Sequence, residues 1–235
     1  VGGGGGKLAK AFLDLGFNKT LLINTTPKDQ PEGVDLKHLV LIPDADGVGK
    51  DVDNGKVVLD NASAVVEDAL RTKLGAVDWL FVLAGGGGGT GSASTALHSV
   101  SKKPHILLDN ERQIKLLRGK VGMLNMYPVA NTAFAKLLSQ LFKLSSEQSS
   151  IQSFDSKDLE KCLSIDGRIF LGSALVVDPS APGLGATIFQ NCSTRSPCPI
   201  PQGNPSTGAM LLVVTPAMAS DPEISKHMDA AISYV

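Results

Sequence analysis

The residues with the most chemistry to offer are glycines. Residues 80–94 read "LFVLAGGGGGTGSAS", an apolar run, then Gly85, Gly86, Gly87, Gly88 and Gly89, then Thr90, Gly91 and Ser92. A strand that ends in glycines and opens a helix aims backbone N–H groups, and the positive end of the helix dipole, into the turn. With no Cβ in the way, phosphate oxygens can come up to the main chain, and Thr90 and Ser92 add hydroxyl donors. Three more loops have a related make-up: "VGGGGGK" (Gly4, Gly5, Gly6, Lys7), "NTTPK", and "DGVGKDVDNG" (Gly47, Gly49, Lys50). Each reads as the C-terminal end of a strand, where parallel sheets bind ligands. Lys50 either meets a γ-phosphate as a point charge or is simply solvated.

Which phosphate ligand these loops suit follows from their number. "GGGGTG" (86–91) fits the G-x-G-x-x-G dinucleotide pattern, a weak signal in so glycine-rich a stretch. The Walker A pattern is absent, since Asp44 stands where its first glycine belongs and Asp51 where Ser or Thr is needed. A dinucleotide fold uses one glycine-rich phosphate turn, whereas several converging loops suit a triphosphate. Away from the loops, Asp155 and Asp158 are three apart, so at a helix start both carboxylates can face one side. Asp155 then either caps that helix above an acidic first turn, or the pair polarises a water. The histidines (His38, His98, His105, His227) have no ligand spacing to one another, so no metal site is expected from them.

The elements that must position these residues alternate in type. Helices are expected over 7–15, 57–74, 92–100 and 111–119, and strands over 20–25, 38–43, 78–84 and 105–110. Strands alternating with helices through short loops predict an α/β fold, a Rossmann-like parallel sheet covered on both faces. A long helix over 121–144 follows, with Pro128 near its start, where a missing N–H does least harm. Beyond it, a helix at 158–163, strands at 168–177 and 209–216, and a helix at 223–234 predict a second, smaller layer. The glycines at 2–6 follow only Val1, so the chain reads as trimmed at that end.

Composition narrows the classes. The 235 residues carry a net charge of −1 with no long run of either sign, which gives no nucleic-acid footprint. No apolar stretch reaches the length needed to cross a bilayer, and no signal peptide opens the chain, so no membrane role is expected. Cys162, Cys192 and Cys198 make an odd count at spacings that suggest reduced thiols and a cytoplasmic location.

At this point the residues carry a family likeness. "GGGGGTGS" resembles the signature loop of the tubulin/FtsZ superfamily, and "VGGGGGKLAKAF" resembles its first phosphate loop. "LLDNERQI" is similar to the segment whose asparagine contacts guanine, which puts that role on Asn110. "YPVANTAFAKLL" resembles the start of the central helix, where a second asparagine, here Asn131, meets the base. "SFDSKDLEKCL" resembles the loop and helix start that carry the family's acidic pair, matching Asp155 and Asp158, and "RIFLGSA" resembles the next strand. The likeness covers most of the chain and is nearer to the bacterial, plasmid and phage members than to eukaryotic tubulin. Two positions depart from the FtsZ pattern: Lys7 replaces asparagine, and Thr132 replaces the acidic residue after the helix asparagine, which leaves guanine to Asn131 and Asn110.

The resemblance implies a GTP-binding domain over 1–120, a connecting helix over 121–145, and an acidic loop with a second (activation) domain over 146–235, stopping before that domain's last strands. It implies GTP/GDP with Mg²⁺, held at Gly4–Gly6 with Lys7, at Gly47 to Lys50 and at Gly86–Gly91. The implied partner is a second copy of the chain, in head-to-tail filaments where Asp155 and Asp158 complete the neighbour's site for GTP hydrolysis. Two other readings stay open: an NAD(P)-dependent oxidoreductase on the dinucleotide pattern, and a nucleotide-binding polymer that does not hydrolyse.

Overall fold

The computed structural model describes residues 1–99, 126–149, 152–164, 171–195 and 211–234. The described residues divide into two compact units, one of 1–99 with 127–136, the other of the remainder.

In the first unit, α1 (Gly2–Asp14) opens with the glycine run itself. The sequence predicted a loop there and a helix only from Lys7. Each glycine costs a free helix about 1 kcal/mol relative to alanine, so packing must hold this one. Gly2, Gly5 and Gly6 are buried, and Leu8, Ala9, Ala11 and Phe12 continue the same face. The helix ends as a Schellman motif: the Gly16 N–H donates to Leu13 O (2.9 Å) and the Phe17 N–H to Phe12 O (3.1 Å). Gly16 takes the φ of +91° that this motif demands. The accompanying apolar contact is an edge-on pair of rings, Phe12 and Phe17, 5.6 Å apart.

Strands β1 (Leu22–Asn24) and β2 (Leu39–Leu41) pair in parallel, with Leu22 opposite Leu39 and Asn24 opposite Leu41. A 3₁₀ turn, Leu36–His38, leads into β2. Ile23, Val40 and Ile42 pack on Ala62, at the junction of the next two helices, and on Ala69 at the end of the second. Those helices are α2 (Val52–Asn61) and α3 (Ser63–Ala69), followed by a π turn, Leu70–Leu74, that stops at Gly75 with φ +65°. The Lys73 ammonium donates to Lys37 O and Leu39 O (3.1 and 3.0 Å), tying this turn to the start of β2.

Helix α2 starts five residues before the predicted 57. Asp51 is the reason, since its side chain accepts from the N–H groups of Asp53 and Asn54 (2.9 and 3.1 Å). Residues 78–84 do not form the predicted buried strand. Leu80 is 54 % exposed, and Trp79 stacks on Phe81 at 6.2 Å. A strand is a pairing rather than a propensity, and among the described residues 78–84 pair with no strand. Helix α4 (Gly89–Ser99) then begins inside the glycine run. The expected strand at 105–110 and helix at 111–119 lie outside the described residues.

The long helix α5 (Met126–Leu144) has Pro128 at its third position and buries Phe134, Ala135, Leu137 and Leu138. In the second unit, α6 (Ser156–Leu163), α7 (Leu184–Arg195), α8 (Pro216–Ala219) and α9 (Ile224–Ile232) follow. Leu184 and Ile188 of α7 pack against Ala231 of α9, with Val176, Cys192 and Leu212 around them. Of the predicted strands, residues 168–170 and 209–210 lie outside the described residues, and 172–177 and 211–215 are not strand. Leu175 and Val177 stand 84 % and 88 % exposed there. An alternating apolar pattern supplies one face of a strand but not the neighbour that satisfies its backbone. Among the described residues the second layer is therefore helical.

A candidate nucleotide site

All four glycine- and threonine-rich loops predicted to bind phosphate belong to the first unit, and the structure brings them together. Gly4 lies against Gly85, where a Cβ on either residue would stand 3.4 Å from the other's Cα. Gly2 faces Gly91, with a Cβ reaching to 3.0 Å from its nitrogen. Gly3 meets the carboxylate of Asp29, and Gly47 meets Thr26 with a Cβ at 3.9 Å. Gly89 sits over the third loop, where a Cβ would be 2.9 Å from Asp51 O. The hydroxyls of Thr25 and Thr90, both buried, share a 2.9 Å hydrogen bond. The Gly47 N–H donates to Thr25 O at 3.0 Å.

These contacts sort the glycines into two kinds. Gly2, Gly3, Gly5, Gly89 and Gly91 are places where a side chain would strike or crowd a neighbour, whereas at Gly4 and Gly85 it would only touch one; at Gly5 it would strike the Leu83 carbonyl and at Gly91 the Gly85 carbonyl. At Gly5 and Gly91 main chain packs on main chain, at Gly3 the neighbour is the Asp29 side chain, and Gly4 and Gly85 stand at ordinary contact distance. A Cβ on Gly86, Gly87 or Gly88 would meet nothing within 4 Å. That open stretch precedes α4, and Gly88 stands at its N-cap, the Ser92 N–H donating to the Gly88 carbonyl at 3.0 Å. A glycine brings no capping side chain of its own, so none competes there with a ligand oxygen.

Electrostatics around the loops are mixed. Asp51 spends its carboxylate on capping α2. Lys28 pairs with Asp46 at 3.3 Å, bridging the second and third loops, but both side chains are exposed and the pair contributes little stability. Lys50 has φ +64°, an uncommon conformation outside glycine, follows Gly49 at φ +59°, and makes no ion pair among the described residues. Lys7 points outward from α1 and is exposed. Asn131 is half-buried on α5, and Asn110 lies outside the described residues.

Asp155 and Asp158 belong to the second unit. There they form a capping box on α6. Asp155 accepts from the N–H groups of Lys157 and Asp158 (2.8 and 3.1 Å), and Asp158 accepts from the Asp155 N–H at 3.1 Å. The capping alternative raised by their spacing is thus realised. Both stay exposed, and in each carboxylate the second oxygen takes no part in the box. Among the described residues no group of His, Cys, Asp and Glu is arranged to hold a metal ion. Cys162 and Cys192 are free thiols, and burial pushes that of Cys192 up.

No protein-family model matches the chain, and no curated protein matches it. Solved structures do. TubZ of the Clostridium botulinum phage c-st, in a form with its C-terminal tail truncated, superposes with a TM-score of 0.58 at 18 % identity, over 83 % of this chain and 72 % of that one. A second structure of the same TubZ gives 0.57 at 17 % identity over the same shares. CetZ from Methanosaeta thermophila strain DSM 6194 gives 0.62 at 20 %, over 81 % of this chain and 65 % of that one. The chain has the fold of the tubulin/FtsZ superfamily, as its ordered motifs implied.

Proposed function

We propose that the chain binds GTP, assembles head to tail into filaments and hydrolyses GTP to GDP and phosphate within them. The observation that supports this most is the meeting of the other three loops with Gly85, Gly89, Thr90 and Gly91, on either side of the open glycines 86–88 at the start of α4. Phosphates fit there because backbone donors are concentrated and no side chain competes for the space. Mg²⁺ suits such a site without a preformed cage, since it takes one or two carboxylates plus phosphate oxygens and waters.

The chain's own part in hydrolysis is positioning and charge. Gly86–Gly88 and the α4 terminus hold the phosphates, Lys50 supplies a cation, and Asn131 and Asn110 read the base. Asp155 and Asp158 of the adjoining copy use their outer oxygens to orient the attacking water for in-line displacement. Assembly then completes the site. The capping box favours a second reading, a GTP-binding polymer that does not hydrolyse, because it gives both aspartates a full structural role.

Adding GTP while following light scattering and phosphate release together tests both. Scattering should rise first and phosphate should follow. Scattering without phosphate selects the second reading, and neither response, in a folded protein, rejects both.

A further inference from the structure

We propose that Thr25 is a positioning residue that fixes the third loop, with Lys50, against the start of α4, and so sets the preference for GTP over GDP. The inference rests on the proposed nucleotide site and adds to it the residue that keeps two of its loops in register. Thr25 follows β1 directly and is 1 % exposed. All three of its polar groups are engaged. Its N–H donates to Asn24 Oδ1 at 2.9 Å, and its carbonyl accepts from the Gly47 N–H at 3.0 Å. Its hydroxyl shares a 2.9 Å hydrogen bond with the hydroxyl of Thr90, in the first turn of α4.

The bonds to Gly47 and Thr90 land on either side of a direct contact. A Cβ on Gly89 would strike the Val48 side chain and stand 2.9 Å from Asp51 O. Residues 48 and 89 therefore touch, while Thr25 is bonded to their neighbours 47 and 90. Lys50 lies in the chain between Val48 and Asp51, the two residues that meet Gly89. One buried side chain thus closes a ring through the end of β1, the third loop and the residues next to Gly88. In the proposed site the open glycines serve phosphates common to GTP and GDP, and the cation of the third loop answers the extra one. Without the Thr25 hydroxyl the third loop keeps its bond to the Thr25 carbonyl, but Thr25 is no longer tied to α4. The buried Thr90 hydroxyl also loses its partner.

The test compares wild type with Thr25→Val, which keeps the shape and loses the hydroxyl, and with Thr25→Ser, which keeps the hydroxyl. Dissociation constants for GTP and GDP are measured by calorimetry in EDTA, well below the melting temperature of each protein. GTP should bind Thr25→Val about ten-fold more weakly, or about 1.4 kcal/mol, while GDP changes by less than about two-fold. Thr25→Ser should return GTP to within about two-fold of wild type. If Thr25→Val does not fold, Thr25→Ala is read by the same criterion. Equal losses of GTP and GDP overturn the proposal, making Thr25 a packing residue and leaving the nucleotide site standing. Unchanged or tighter GTP in Thr25→Val also overturns it, as does a serine that fails to restore binding. No binding of either nucleotide by wild type removes the site and the positioning role together.

Discussion

Gly55 on α2 faces Gly89 on α4 so closely that a Cβ on Gly55 would stand 2.9 Å from the Gly89 carbonyl oxygen and 2.9 Å from the Ala93 Cβ. Glycine in mid-helix would ordinarily be a weakness, and here it lets two backbones meet. Gly55→Ala should therefore lower stability by about 1–3 kcal/mol through overpacking, where an unconstrained helix would gain about 1 kcal/mol. Urea unfolding decides it, and a raised midpoint would contradict the contact.

The two kinds of glycine in the signature loop should respond in opposite ways. Gly88→Val enters open space, so stability should stay within about 0.5 kcal/mol while GTP affinity collapses. Gly91→Ala drives a methyl into the Gly85 carbonyl and should lower the melting temperature before any ligand is added. Thermal scans of both variants with and without GTP separate the cases. A strongly destabilised Gly88→Val would show that this glycine too is fixed by packing.

The hydroxyl pair of Thr25 and Thr90 joins the end of β1 to the first turn of α4. Thr90→Val leaves a buried hydroxyl unpaired and should cost about 1–3 kcal/mol. Thr25→Val with Thr90→Val together should recover part of that loss, because neither group is then stranded. Strictly additive losses in the double-mutant cycle would mean the hydroxyls do not depend on each other.

Capping and catalysis can be separated at Asp155. Asp155→Ala removes the cap and should cost about 0.5–2 kcal/mol, whereas asparagine caps about as well as aspartate. Asp155→Asn should thus keep stability, GTP binding and filaments, yet lose phosphate release. Full turnover by this variant would leave Asp155 with its capping role alone.

That the four loops lie in one unit was legible because loop composition is local. Four loops with the make-up of phosphate turns could be read off the chain, and all four meet in one unit. What could not be read was which glycines are fixed by packing, since Gly5 lies against Leu83, remote from it in sequence, and Gly91 against Gly85. The start of α2 had a readable signal in Asp51 as N-cap, masked by Gly55, whose mid-helix place depends on Gly89. Residues 78–84 show the converse: an apolar run states a preference for burial, but pairing partners decide whether a strand forms. At Asp155 and Asp158 the spacing allowed capping or catalysis, and the geometry realises the first without removing the second.

The central claim is that Gly86, Gly87 and Gly88 receive the phosphates of a guanine nucleotide. Titrating GTP into ¹⁵N-labelled protein and following the backbone amides tests it most directly. The account predicts saturable shifts at Gly86, Gly87 and Gly88, with smaller ones at Gly47 and Lys50, and none of these with guanosine alone. Saturable GTP binding that leaves all three glycine amides unmoved would contradict it.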